Sequence, residues 1–410
     1  MTSTIGVKKI QYPNGTDILT LDSSGTLAIG GNITSNITTT GTVNTPSING
    51  GQIGGRRNII INGAMQVAQR GTSSTSIHGS GYYTCDRFNV NFVNEDELRT
   101  TIAQDTTGPS GFSNSFKITS TTAESAVAAD EELRVIYKVE AQDLQQLAFG
   151  TSDAKTITVS FYVKSTIAAT YGFNLYQNDA NKVNGQSYTI NSANTWERKT
   201  LTFTGNTSDV INNDNGIGMQ LNWFLMAGSN FTSGSNSGWE TFATAKHAVG
   251  HNANAVVTTT NATWQITGVQ LEVGSQATPF EHRSFGEELA LCHRYFQVHN
   301  ETTDSNALYT FAMMRWSTNT GFFSWTLKQD MRAEPTATIL NNDGTSPSGN
   351  AGVVSGNNNT DDVTAGNFTL KQAHDGRATF TVGLDFNPSG AYAHALYFDA
   401  SKKIYFDAEL

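Results

Sequence analysis

Cysteine is nearly absent: the 410 residues hold two, Cys85 and Cys292. They lie far apart and in no C-x-x-C or metal-ligand spacing, so a disulfide framework is excluded and both are expected as buried thiols. No run of about 18 apolar residues occurs, which excludes a helical membrane span. Lys8 and Lys9 are followed by no apolar stretch, unlike a secretory leader. Synthesis in a cytoplasm without general export is therefore expected. Charge is also scarce, at 15% Asp, Glu, Lys and Arg against ~25% in a typical globular chain. The balance is acidic, with a formal net charge of −10. That excludes the basic patches a nucleic-acid binder needs and disfavours an anionic membrane surface.

Apolar residues make up 37% and aromatics 10%, with 38 glycines, enough for real cores and against general disorder. The length leaves room for two domains with chain to spare. In residues 16–55 apolar residues come singly: Leu19, Leu21, Leu27, Ile29, Ile33, Ile37, Val43, Ile48 and Ile53, separated by Gly, Asn and Thr. The alternation is strand-like, yet no piece closes a core alone. Residues 1–55 are therefore expected to form an attachment and shaft-like segment, trimerised by burying these positions between copies. The alternative is an irregular arm lying on another protein. Gly50, Gly51, Gly54 and Gly55 form a hinge. A phosphate loop is excluded there, because an extended run from Arg56 to Ile61 follows where a helix would have to start.

Residues 56–283 read as strand after strand. Ile157, Val159, Phe161 and Val163 alternate with polar partners and Tyr162. Tyr171, Phe173 and Leu175 alternate with Gly172, Asn174 and Tyr176. Met219, Leu221, Trp223 and Leu225 alternate with Gln220, Asn222, Phe224 and Met226. Period two gives each strand one core face and one wet face, and many such strands between Gly/Asn/Ser turns predict an all-β jelly-roll sandwich. Parity switches at Thr267–Gly268, which predicts a glycine bulge. Ala141 to Leu147 reads as a short helical turn.

Asn58 to Gly71, NIIINGAMQVAQRG, resembles the opening of a module found in bacteriophage tail fibre and tail-associated proteins. Asp86-Arg87-Phe88 resembles its next marker. Gly268 through Gln270-Leu271-Glu272-Val273-Gly274 to Thr278-Pro279-Phe280-Glu281 resembles its end, and Ser284 to Tyr295 its trailing helix. The body, with Ser160 to Lys164 and Thr195-Trp196-Glu197, is similar to jelly-roll carbohydrate-binding modules of polysaccharide-degrading enzymes. The resemblance covers about residues 56–296. It implies a structural subunit of a virion appendage, a tail fibre that binds host surface glycan without cleaving it. Its implied partners are itself as a homotrimer, other tail or neck proteins through the N-terminus, and the glycan, with neither nucleic acid nor membrane insertion. Virion localisation follows, after synthesis in the host cytoplasm. The alternatives are a polysaccharide depolymerase, a neck or capsid fibre with a purely structural role, and a free carbohydrate-binding module of a cellular hydrolase.

A linking helix is expected over 284–296, where Ser284 and Glu287 form an S-x-x-E capping box. Phe285, Leu289, Cys292 and Phe296 would share its apolar face. Residues 297–410 predict a smaller β-sandwich, with Phe323, Trp325 and Leu327 on one face of a strand. Residues 341–366, rich in Asn, Gly, Asp and Ser, predict an exposed loop or loose hairpin.

No nucleophile elbow, H-E-x-x-H, EF-hand loop or P-loop occurs. The acidic triplets Glu95-Asp96-Glu97 and Asp130-Glu131-Glu132 are expected as solvated loops, with Asp130 or Glu132 as the residues a depolymerase would use. His247 and His251 would chelate a metal only on a helix. No cofactor is expected. A structural Ca²⁺ suits the abundant oxygen ligands, with no ligand set to name. Sugar binding needs aromatic faces with amides beside them. The wet faces offer Tyr162, Asn174, Tyr176, Gln220, Asn222 and Phe224, while Phe161 and Trp223 have core parity. Trp239 is placed in a loop.

Overall fold

The computed structural model describes residues 9–11, 17–21, 27–29, 56–299, 308–317, 320–341, 350–356, 359–364, 368–374, 377–383, 393–399 and 402–410. The chain divides into two compact units, Met1–Pro46 and Ser47–Leu410. In the first, β1 (Lys9–Gln11), β2 (Asp17–Leu21) and β3 (Leu27–Ile29) form an antiparallel meander. The rest of the expected shaft, with Ile33 to Ile53 and the glycine hinge, lies outside the described residues.

The second unit opens with two facing sheets. The six-stranded sheet runs β13 (Glu197–Phe203), β10 (Ile157–Ser165), β16 (Thr263–Val273), β8 (Ser115–Thr122), β7 (Arg99–Asp105), β4 (Ser73–Ile77). The seven-stranded sheet runs β15 (Glu240–Thr241), β12 (Lys182–Thr189), β11 (Thr170–Gln177), β14 (Ile217–Ala227), β9 (Glu132–Glu140), β6 (Phe88–Val93), β5 (Gly81–Tyr82). Neighbouring strands pair antiparallel within both. The alternation read from the sequence fills the space between them. Phe161, Phe173 and Trp223 are fully buried, with ring centroids 5.8 Å apart for Phe161–Trp223 and 5.1 Å for Phe173–Trp223. Burying an aliphatic or aromatic side chain of this kind contributes about 1.5–3 kcal/mol. The expected short turn is a 3₁₀ helix, Ala141–Leu147.

The residues of the resembling motifs stitch the module's two ends together. The Asn62 side chain donates to the carbonyls of Val67 and Asp86 and accepts from the Val67 amide. Asn58 donates to the Val269 carbonyl, and Glu281 accepts from the Arg57 and Asn58 amides. Gln270 and Glu272 hold the returning chain at Glu281 and Thr278. These polar groups are buried or half-buried and satisfied, which specifies one arrangement of the chain ends.

The helix spans Phe285–His293, with Ser284 as N-cap accepting from the Glu287 amide at 3.3 Å. Its expected apolar face needs correcting. Cys292 is buried, but Phe285 is 57% exposed, and Phe296 begins strand β17 (Phe296–His299). The buried position in the first turn belongs to Glu288, which accepts from the Asn62 amide and pairs with Arg283. Polar anchoring to the motif outweighs apolar periodicity there. Both thiols are buried, and burial pushes them up from their ordinary range.

The C-terminal part holds two further sheets. One runs β17 (Phe296–His299), β26 (Lys402–Asp407), β20 (Thr336–Asn341). The other runs β22 (Asn359–Thr364), β21 (Asn350–Gly356), β25 (Ala393–Asp399), β18 (Leu308–Ser317), β19 (Thr320–Thr326), β24 (Arg377–Gly383), β23 (Phe368–His374). Phe323 and Trp325 are buried as their parity predicts. Phe380 meets Phe406 at 5.8 Å, and Trp325 donates to His299 at 2.8 Å, so the sheets share a core. Within 341–366, β21 and β22 pair antiparallel, and residues 342–349, 357–358 and 365–366 lie outside the described residues.

Candidate functional site

On β11 and on β14 as far as Phe224, even-numbered residues face away from the main core, until a register shift turns Met226 into it, and the register sets Asn174 opposite Asn222 and Tyr176 opposite Gln220. This face was expected to be wet. Instead, the connection from β14 to β16 folds back over it. Asn174, Asn222 and Phe224 are at most 1% exposed. Asn222 donates to Asn174 at 2.7 Å, and Asn174 to the His247 carbonyl at 2.6 Å. Phe224 lies edge-on to His247 at 4.9 Å and packs against Ala227, Ala248 and Phe231. Parity names a strand's two faces but not which of them another segment covers. Tyr176 and Gln220 remain half-buried at the margin. The Tyr176 hydroxyl donates to Asn181, its ring meets Phe242, and Gln220 donates to Asn178.

The covered face holds titratable side chains. Glu132, fully buried, pairs with Arg134 and with His247 Nδ1 at 2.8 Å. Burial pushes His247 below its ordinary range, opposed by Glu132. His251 takes the Gly172 amide on Nδ1 and sits 3.0 Å from Asn254 on Nε2, and burial pushes it down to about 4. The two imidazoles face different partners and do not form a chelate. Within the second acidic triplet, Asp130 and Glu132 likewise separate. Glu132 is committed to its ion pairs on the sheet face, whereas Asp130 is exposed and held by Asn94 at 3.1 Å.

Tyr162 belongs to the other sheet. It lies on the outer face of β10, opposite Arg198 of β13, so the six expected residues divide between two faces rather than forming one platform. Around Tyr162 aromatic side chains gather. Phe112 stands 5.3 Å from Tyr162, 5.0 Å from Phe280 and 5.1 Å from His282. The rings can lie over the strand because Gly268, at φ +61°, has no side chain; a Cβ there would stand 2.8 Å from Phe112 and 3.0 Å from Tyr162. The bulge expected at Thr267–Gly268 is present: Ser160 pairs with Gln270 and Tyr162 with Thr267. Along the same face Lys164 lies 5.0 Å over the half-buried Trp196. Phe112, Trp196 and His282 were not among the expected site residues. Trp196, just ahead of β13, had a signal in sequence, since Thr195-Trp196-Glu197 is part of the stretch that resembles carbohydrate-binding modules. Phe112, from the loop before β8, had none. Trp239 is half-buried, donating to the Thr204 carbonyl.

No family model matches the chain, and no curated protein does. Among solved structures, the enzymatically active domain of tailspike protein 4 from bacteriophage CBA120 matches 53% of this chain and 21% of its own length, at 11% identity and TM-score 0.28. The chain thus spans about a fifth of that tailspike domain. A family 11 carbohydrate-binding module from Clostridium thermocellum, in complex with a mixed-linked tetrasaccharide, matches 50% of this chain and 98% of its own, at 9% identity and TM-score 0.26. TmCBM61, in complex with β-1,4-galactotriose, matches 53% of this chain and 99% of its own, at 7% identity and TM-score 0.25. At these scores the all-β assignment rests on the sheets themselves.

Proposed function

We propose that the chain is a non-catalytic subunit of a phage virion appendage, a tail fibre. Its N-terminal unit attaches and trimerises, and its central sandwich binds host surface glycan. The observation that carries the binding reading is the aromatic row on the outer face of the six-stranded sheet: Trp196, Tyr162, Phe112 and Phe280, all half-buried, with Lys164, Arg198 and exposed His282 among them. A pyranose presents apolar C–H faces and a polar rim, which a row of rings bordered by donors complements. The motif resemblance over residues 56–296 supports the appendage reading.

Calorimetric titration with a panel of host envelope polysaccharides tests this. Trp196→Ala and Tyr162→Ala should each weaken binding by about 1–3 kcal/mol, with the far-UV spectrum unchanged. Tyr176→Ala, on the opposite sheet, should bind as wild type; loss there but not at Tyr162 moves the site. No binding across the panel overturns the glycan reading. Release of reducing ends would replace it with the depolymerase reading. A monomer by light scattering at micromolar concentration overturns trimerisation.

A further inference from the structure

Two loops meet at one end of the central sandwich. The connection from β6 to β7 carries Glu95, Asp96 and Glu97, and that from β8 to β9 carries Glu124 and Glu131. They are tied by the Ser125 amide donating to Glu97 and by Asn94 donating to Asp130. Carboxylate oxygens of Asp96, Glu124 and Glu131 all lie within 4.8 Å of one another. Glu124 is 3% exposed and Glu131 6%. Glu131 accepts one bond, from the Ala128 amide. Oε2 of Glu124 is shielded from solvent and has no hydrogen-bond partner among the described residues, and the same holds for both oxygens of neighbouring Glu95. The cations that act on Glu95 are Arg99 and His78. Arg99 turns Nη1 to the backbone carbonyls of Asp96 and Leu98, and His78 is exposed. A buried carboxylate without a partner is costly, and buried charges are normally paired or coordinate a metal.

We propose that Asp96, Glu124 and Glu131, with Glu95 beside them, bind one calcium ion. Calcium holds oxygens at ~2.4 Å, so ligands around it stand at most about twice that apart, and these oxygens lie within that limit. The donors are all hard oxygens, without the nitrogen or sulfur that zinc prefers. They sit on two loops rather than on rigid elements, which suits the flexible six-to-eight-fold shell of calcium better than the strict octahedron of magnesium. The ion neutralises the cluster and clasps the two sheets, because β6 and β9 belong to one and β7 and β8 to the other. It also braces the start of the covering segment, whose Gly228 amide donates to the Glu131 carbonyl.

Calorimetric titration of the metal-stripped full chain with CaCl₂ in 150 mM salt, together with melting curves, is the test. One site is expected, with Tm rising by roughly 5–10 °C at a hundredfold excess over Kd, and magnesium at equal ionic strength binding at least tenfold more weakly. Glu124→Gln should lower calcium affinity at least tenfold. Asp96→Asn, at an exposed position, keeps the test valid if the buried variant does not fold, and should also lower affinity at least tenfold. Absence of calcium binding by the folded wild type, binding unchanged in Asp96→Asn, or equal affinity for magnesium each overturns the proposal.

Discussion

His251 couples to folding through its charge state. It is 7% exposed, between the Gly172 amide and Asn254, and burial holds it near 4, below the ~6.5 of a solvated imidazole. The unfolded chain therefore takes up this proton before the folded one does. The stabilisation is complete above about pH 6.5 and is lost as pH falls from there toward 4, by up to about 3 kcal/mol from this residue. His299, pushed to about 3 by burial, acts in the same direction. An NMR titration should place the His251 midpoint well below 6. A midpoint near 6.5 refutes the assignment. Sequence singled out this histidine only by its i, i+4 spacing with His247, which would make a chelate on a helix alone, and the chain's path over the sheet put the two rings on separate partners.

At the scale of strands and helices, alternation located the strands correctly, and the glycine at the parity switch located the bulge. Gly268→Ala puts a Cβ into a left-handed position and against two rings. A cost of about 2–4 kcal/mol is expected, read as a lower Tm, with an altered near-UV spectrum as Phe112 and Tyr162 move. An unchanged melt and spectrum would show that the rings yield freely. The helix was legible from its cap, since Ser284 accepts the Glu287 amide. Its inward face was not. Glu288 turns inward because Asn62 and Arg283 wait for it, and both come from segments that helical periodicity does not report.

At the scale of the whole second unit, the C-terminal tail is bound to the central sandwich by charge. Arg87, 1% exposed, pairs with Glu409, donates to the Lys138 carbonyl and lies 3.4 Å over the Tyr295 ring. Arg70 reaches Asp407 at 3.0 Å, and Tyr82 donates to the Leu410 carbonyl oxygen at 3.2 Å. Arg87→Met should cost up to about 3–5 kcal/mol, because buried Glu409 loses its nearer ion pair and keeps only Arg70 at 3.5 Å. Arg87→Met combined with Glu409→Met should cost clearly less than the two single changes together. Denaturant unfolding of the four proteins measures this, and additive losses would show that the pair is not coupled.

The amino-acid order alone determined the all-β class, the core parity of Phe161 and Trp223, the bulge and the helix cap. Each follows from residues close together in the chain, where backbone geometry sets the period and the cap. Tertiary structure decided which outward faces stay open. Asn174, Asn222 and Phe224 carry the same parity as Tyr176 and Gln220, yet the chain between β14 and β16 covers three of the five. Tyr162, with an equal claim by pattern, lies on the opposite sheet beside Phe112 and Trp196. Which sheet a strand joins, and what returns to cover it, depend on contacts between distant segments. Period-two alternation is identical on every strand and carries no record of them.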